Sequence, residues 1–517
     1  MDAELSSRAD RRPWAGLAVL ALPTVLLGLD VTALYLAVPN LAADLRPTAT
    51  ETLWIMDAYG FLIAGFLITM GTLGDRIGRR RLLLIGMAAF GAASVLAAFA
   101  PSALWLIAAR ALLGVAGATL MPSTLSLIST MFTDAGQRAM AIGVWATMFA
   151  LGMAAGPVVG GILVAHFWWG AVFLLAVPIS VAVLIVAPVL LPEYRSDAPR
   201  LDLRSVALSL AAILPIVYAI KHVAAQGVDA TALVAVLLGG GSTIVFIRRQ
   251  LRLREPLLDV GLFANRAFSA ALTVLLIGLV GFGGMMYLVT QYLQLVEGLS
   301  PLMAGLWMGP PALAMLIGGI GAPVIAGRLA PGIVMAATLA VSLIGYVLLA
   351  FAGADDTPRV VVGFALLYLG LGVIAALGTD IVVGAAPQKR SGSAAALSET
   401  VQELGIAAGV ALLGSLTTAI YRAAVETPSD LSRSAAESYV DSLSDAVSVA
   451  QQLPDTALHH ARDAFTSGLN TAAAVAGIAI AAASVACLTM LRDIRPIGAA
   501  DPEAEPIAST RSSGEDR

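Results

Sequence analysis

The sequence predicts an all-α integral membrane protein, one bundle of fourteen spanning helices. Three observations carry that prediction. Only 12% of the 517 residues are charged, against about 25% in soluble proteins, and the mean hydropathy is +0.88. Cutting the chain at clusters of charge, proline and glycine leaves fourteen apolar stretches of membrane length, each near the roughly 20 residues a hydrocarbon core requires. The basic residues between those stretches are distributed unevenly on the two sides.

In order, the expected spans are 15–39, 52–73, 82–100, 103–127, 139–163, 170–191, 203–221, 230–247, 268–292, 302–326, 332–353, 360–384, 392–420 and 469–490. The seventh and eighth are the least clear, because Tyr218, Lys221 and Arg248 crowd their ends. An even number of spans puts both termini on one side. On that side fall 23 of the 30 basic residues, and six fall opposite. Positive loops stay inside, so both termini are expected in the cytoplasm. The opening MDAELSSRADRRPW is charged and runs straight into a full span, so no cleaved signal peptide is expected. A long outward loop, 422–467, carries ESYVDSLSDAVSVAQQL with helix-like apolar spacing; it is either a short helix over the mouth of a pore or a solvated amphipathic loop. The polar tail beyond Ala499 is expected to be disordered.

Other classes find little support. The single cysteine, Cys487, excludes an intrachain disulfide. The four histidines have no metal-ligand spacing, and there is no P-loop or nucleophile elbow. No catalytic residue, metal or cofactor is expected. A net charge of −4 says little about partners and does not suggest nucleic acid.

Within this apolar chain, GTLGDRIGRRRLLLIG (71–86) packs Asp75, Arg76, Arg79, Arg80 and Arg81 into seven residues between the second and third spans. A topology anchor would need only the arginines. Gly71, Gly74 and Gly78 let a second helix approach closely. A carboxylate beside arginines at a helix end makes a contact that one conformation keeps and another breaks.

The run Gly71-x-x-Gly74-Asp75-Arg76-x-Gly78-Arg79-Arg80 resembles the cytoplasmic signature loop of the major facilitator superfamily, where it is implied to act as a gate latch. LWLIAARALLGVAGATLMPS (104–123) is similar to the family's fourth-helix motif, with Arg110 as the membrane-embedded arginine. GVWATMFALGMAAGPVVGG (143–161) resembles the fifth-helix mark of antiporters, through Gly152, Gly156, Pro157, Gly160 and Gly161. GLDVTALYLAVPNLAADL (28–45) resembles the first-helix motif of fourteen-helix drug:proton antiporters, with Asp30 as its acid. Nearly end to end, the chain looks most like QacA-type quaternary-ammonium and dye exporters. The resemblance implies a major facilitator fold with a cytoplasmic segment 1–14, a six-helix bundle 15–191, two extra helices within 192–266, a second six-helix bundle 267–491 and a tail 492–517.

Each charge inside a membrane is expensive and is a functional candidate. There are six: Asp30, Asp57, Arg110, Asp380, Glu399 and Glu403. Asp30 lies just past the middle of the first span, where a carboxylate that holds either a proton or a cation is the minimum for antiport. Glu399 stands a third of the way into span thirteen, with Glu403 one turn on and on the same face. The resemblance gives Glu399 a protonation or cation-binding role. Asp57, near the outer end of span two, is either exposed or a cation attractor at the mouth. Asp380 is placed to pair with a basic loop residue, and Arg110 to pair with a carboxylate that the sequence leaves open.

A lipophilic cation needs aromatic faces and apolar volume near negative charge. Trp54, Tyr59, Trp145, Phe149, Tyr287 and Tyr292, with Met148, Gln291 and Met308 as adaptable contacts, are the expected lining. Relatives that carry an acid in span ten align it with Met315 here, which argues against long dicationic substrates. The expectation is a monomeric exporter of lipophilic cationic drugs in the cytoplasmic membrane, driven by the proton gradient. The alternatives are a dedicated exporter of one natural product and, less favoured, a proton-coupled importer.

Overall fold

The computed structural model describes residues 2–132, 135–193, 195, 202–226, 229–253, 256, 260–385, 391–425, 432–492 and 494. The expected disordered tail lies outside the described residues.

The first half runs α1 (Asp2–Leu45), α2 (Ala49–Ile77), α3 (Arg79–Ala98), α4 (Ala103–Met131), α5 (Ala135–His166), α6 (Ala171–Leu174) and α7 (Ala176–Leu190). Two further helices follow, α8 (Leu203–Gln226) and α9 (Ala230–Gln250). The second half runs α10 (Arg266–Gln291), α11 (Pro301–Trp307), α12 (Gly309–Ala326), α13 (Pro331–Ala350), α14 (Thr357–Gly384), α15 (Ser391–Ala424), α16 (Arg433–Asp441), α17 (Leu443–Ser448) and α18 (Asp455–Ala486).

Local chemistry sets the helix ends. Thr48 and Glu51 form a reciprocal capping box at the start of α2. Ser102 caps α4, Asp229 caps α9, and Ser300 caps α11 with Pro301 just inside it. Helices α1, α4, α5, α7, α8 and α12 all carry interior prolines, which membrane helices tolerate because neighbouring groups satisfy the freed carbonyls.

Twelve of the described helices are long and apolar enough to cross a membrane, so the chain is a multi-pass membrane protein. Helices α2 and α8 stand at the second and seventh expected spans and are not among the twelve. Spans one and fourteen are longer than expected: α1 reaches Leu45 and α18 starts at Asp455. The last outward loop is therefore shorter than 422–467, and its amphipathic stretch forms the two short helices α16 and α17.

The halves repeat one arrangement. In the first, α1 packs on α5, α2 on α4, and α3 on α4 and α7; in the second, α10 packs on α15, α12 on α14, and α13 on α14 and α18. Between halves, α2 meets α15 and α5 meets α11 and α12, again as equivalents. Helices α8 and α9 pair with each other, and α8 rests on α2 and α15. Asp202 and Arg249, 2.9 Å apart, clip that hairpin together. Leu233, Val234, Leu237 and Leu238 leave one side of α9 exposed, as a lipid-facing helix requires.

Candidate functional site

The helix α1 is held in register by glycines. A Cβ on Gly28 would stand 2.3 Å from the Phe149 carbonyl oxygen, one on Gly152 2.3 Å from that of Val25, and one on Gly160 2.4 Å from that of Ala33. Gly156 makes room for Thr32, whose hydroxyl donates to the Met153 carbonyl at 2.9 Å. Three residues of the expected α5 motif, Gly152, Gly156 and Gly160, thus abut α1 directly. Gly161 instead meets Pro301 and Gly305 of the other half, and the Pro157 carbonyl faces Gly305.

With α1 fixed in this way, Asp30 meets α4. Arg110 Nη1 donates to Asp30 Oδ2 at 2.9 Å. The pair is almost dry, with Arg110 2% and Asp30 8% exposed. Arg110 Nε donates to the Ile55 carbonyl (3.1 Å) and Nη2 to that of Met56 (3.5 Å). Its guanidinium lies 4.5 Å from the centroid of the Tyr59 ring and 5.9 Å from that of Phe173. The charge is thus held by a carboxylate, two carbonyls and two aromatic faces, as a buried cation must be. Arg110, left without an assigned partner by the sequence, takes Asp30, 80 positions away.

The second half adds Glu403, which is 4% exposed and within electrostatic reach of Asp30, Arg110 and Glu399. Gly60, next to Tyr59, lets α15 come close: its Cβ position lies 3.0 Å from Ala407 and 3.5 Å from the Glu403 carbonyl oxygen. Glu399, one turn earlier, is half-buried. Asp380 is exposed, and the basic residues Lys389 and Arg390 lie outside the described residues. Asp57 corrects an expectation: it is fully buried rather than exposed at the mouth, because α2 begins at Ala49 and carries it two turns inward.

The signature loop docks on its own half. Gly78 has φ +112°, which favours glycine, and its missing Cβ makes room for Glu193, whose Oε1 would be 2.4 Å away. Glu193 accepts from the Arg80 backbone N–H (3.2 Å) and lies 3.7 and 3.8 Å from the Arg80 and Arg81 guanidiniums. Arg80 also donates to the Pro188 (3.1 Å) and Leu191 (2.9 Å) carbonyls, closing the C-terminal end of α7. Arg79 reaches the Pro122 carbonyl at 3.4 Å and is buried. Gly74 accommodates Arg79, Gly71 lies beside Pro122, and Arg76 is exposed. The Asp75 side chain lies outside the described ones. Sequence reasoning passed over Glu193, whose signal was a lone acid directly after span six and opposite four arginines.

The expected substrate lining divides into groups. Tyr59 belongs to the Arg110 cradle. Trp145 donates to the Thr124 hydroxyl at 3.0 Å, and Met148 and Phe149 are half-buried on α5. Trp54 packs beside Phe61, Ala407 and Ala411 where α2 meets α15. Tyr287 and Gln291 line a separate cavity. Tyr292 and Met308 are fully buried; the Tyr292 hydroxyl bonds Glu297 and the Gly353 carbonyl, which ties down the end of α10.

The model of the Major Facilitator Superfamily matches residues 20–410. The chain is 44% identical over 485 residues to the multidrug efflux pump LfrA of Mycolicibacterium smegmatis, covering 93% of this chain and 96% of that protein. It is 35% identical to the methyl viologen resistance protein SmvA of Salmonella typhimurium, covering 90% and 96%. It is 32% identical to the tetracenomycin C resistance and export protein of Streptomyces glaucescens, covering 97% and 96%. Among solved structures, a peptide transporter POT in complex with sulfate shares the fold at TM-score 0.61 and 16% identity, covering 92% of this chain and 96% of that one. With its repeated halves and the embedded Arg110–Asp30 pair, the chain belongs to the Major Facilitator Superfamily.

Proposed function

We propose that this chain is a proton-coupled exporter of lipophilic, chiefly cationic drugs, working by alternating access in the cytoplasmic membrane. The single observation that carries the reading is the dry Arg110–Asp30 contact of 2.9 Å, with the buried Glu403 of the other half within electrostatic reach of it. Asp30 can hold Arg110, a proton or a drug cation, but not all of them. Protonating Asp30 releases Arg110. The freed guanidinium then seeks Glu403, which transmits the proton's arrival from one half to the other. A cationic drug arriving at the acids expels the proton, and the two fluxes are coupled by exclusion. The names of the relatives, a multidrug efflux pump and resistance proteins, support the drug-export part of this reading.

In this reading α2 and α8 also cross, giving fourteen spans with both termini in the cytoplasm, as the excess of basic residues on that side supports. The QacA-type assignment, the monomeric state and the proton gradient as sole driving agent, without a cofactor, belong to the same proposal. A second reading, a dedicated exporter of one natural product, is favoured by the 32% identity to the tetracenomycin C exporter.

The test is ethidium efflux from energised cells expressing the wild type or Asp30→Asn, with and without a proton uncoupler. Efflux that the uncoupler stops and Asp30→Asn lacks supports the antiporter. A well-expressed wild type that moves neither ethidium nor a panel of related cations rules out broad cation export and leaves the single-product exporter.

A further inference from the structure

The end of the molecule opposite the signature loop is covered by α16 and α17. Tyr421 donates to the Tyr439 carbonyl (2.8 Å), Tyr439 donates to that of Ala457 (2.9 Å), and Arg422 pairs with Asp441. These bonds pin the loop to α15 and α18. Helix α17 touches α18, the π-helical turn Tyr292–Val296 and, across the divide, α1. It therefore roofs the seam between the halves.

Beneath that roof lies a cavity of about 50 Å³. Its walls come from both halves: Val38 and Thr52 on one side, Tyr287, Gln291, Thr417 and Ser444 among those on the other. Gln291 and Thr417 are 3% and 2% exposed, yet Gln291 Oε1 and Thr417 Oγ1 have no hydrogen-bond partner among the described residues. A buried acceptor left unsatisfied costs about 1–3 kcal/mol, so these atoms call for a ligand. The space holds roughly three to five waters at about 10–15 Å³ each and is far below the roughly 300 Å³ at which drug-sized sites begin. None of the described residues that line it carries a charge, which leaves water as the occupant of fitting size and polarity.

The cavity also points inward. Leu53 and Tyr287 both touch Gly414, and Asp57 lies one helical turn inward of Leu53 on the same face of α2. Tyr287 and Tyr35 are each within electrostatic reach of Asp57, and Tyr35 is within reach of Arg110 and Glu403. At the outer wall, Ser442 accepts from the Asp445 backbone N–H and donates to its carboxylate (2.6 Å).

We propose that this cavity is a hydrated antechamber, in which waters held by Gln291 and Thr417 deliver protons from outside to Asp57 through a passage too small for drug. A hydronium in the cavity gives its proton to the Asp57 carboxylate and is left as water, so no other reactant is needed. While Arg110 sits on Asp30, its positive charge bars the proton from going further, so the antechamber is a dead end and not a leak. The proton advances only when that pair opens. The inference rests on the proton-antiport reading and adds its outer entry point.

The test measures initial ethidium efflux from cells as a function of external pH, for wild type, Gln291→Leu/Thr417→Val, and Gln291→Leu/Thr417→Ser. The charged groups that bear on the profile from the neighbouring elements are Asp57 on α2, Arg422 on α15, Asp441 and Asp445 in the loop, and Arg462 on α18. Removing both acceptors is expected to demand about tenfold more external protons for half-maximal efflux, the worth of two lost hydrogen bonds at the lower end of their usual net strength. The serine variant, which keeps a hydroxyl, recovers part of that loss. Melting temperatures of the purified variants show that all three are folded. An uncoupler-sensitive wild type whose pH profile the double variant reproduces overturns the antechamber alone. A wild type indifferent to the uncoupler overturns it together with proton coupling.

Discussion

Arg110 on α4 and Asp30 on α1 meet at 2.9 Å in a setting where neither side chain is more than 8% exposed. Removing one member strands the other, so the two substitutions should differ. Arg110→Ala leaves a buried carboxylate and is expected to cost about 3–5 kcal/mol, read as a large loss of expressed or heat-resistant protein. Asp30→Asn still offers an oxygen to Arg110 and should fold. It should lose uncoupler-sensitive efflux all the same, because the amide cannot titrate.

The α1–α5 seam has no room for a side chain. Gly160→Val sets a branched side chain where even a Cβ is 2.4 Å from the Ala33 carbonyl oxygen. The helices must part, with a cost of about 1–3 kcal/mol for overpacking. The expected phenotype is lost efflux together with a proton leak in vesicles that the wild type lacks. Gly143→Ala, with nothing near its Cβ position, serves as the control on the same helix.

Gly78 and Glu193 form the joint of the signature loop. Gly78→Ala combines φ +112° with a clash against Glu193, and about 1–3 kcal/mol of strain should appear as a lower melting temperature. Glu193→Gln keeps the shape but weakens its contacts with Arg80 and Arg81. These half-exposed pairs are worth up to about 1 kcal/mol, so stability should barely move. If the joint is a latch, a cysteine reporter at the signature-loop end of the molecule will change its labelling rate in Glu193→Gln; an unchanged rate excludes the latch.

The outer loop should respond to pH. Burial, aided by the Asp441 charge and opposed by the Ser442 hydrogen bond and Arg422, raises Asp445 from 3.8 to about 6. A carboxylate raised on packing is bound more tightly by protons in the packed loop than in the open one. Packing is therefore most favourable below about pH 4 and is progressively penalised as pH rises to about 6. Protection of the α17 amides, the exchange rate taken relative to the intrinsic rate at each pH, should fall across that window in the wild type and stay flat in Asp445→Asn. Equal slopes in the two proteins would refute the assignment.

Much of the molecule was legible in its sequence because membrane helices obey local rules. Length and hydropathy place a span, and the glycines of α5 announce a close approach before its partner is known. The same rules placed Asp57 near a helix end but could not tell that α2 continues outward to Ala49 and buries it. They found the amphipathic outer stretch but not that α17 roofs both halves.

By itself the sequence determined that the chain crosses a membrane many times, the uneven distribution of its basic residues, the signature loop and the short roster of acids among the apolar stretches. Spacing along a helix fixes rise and face, and composition fixes the solvent. Only the tertiary structure decided that Arg110 takes Asp30, that Glu403 joins them from the other half, that Glu193 receives the loop arginines, and that Gln291 and Thr417 face a cavity. Each of those pairings spans many residues of chain, and the packing of helices against one another, not the period within any one of them, brings the partners together.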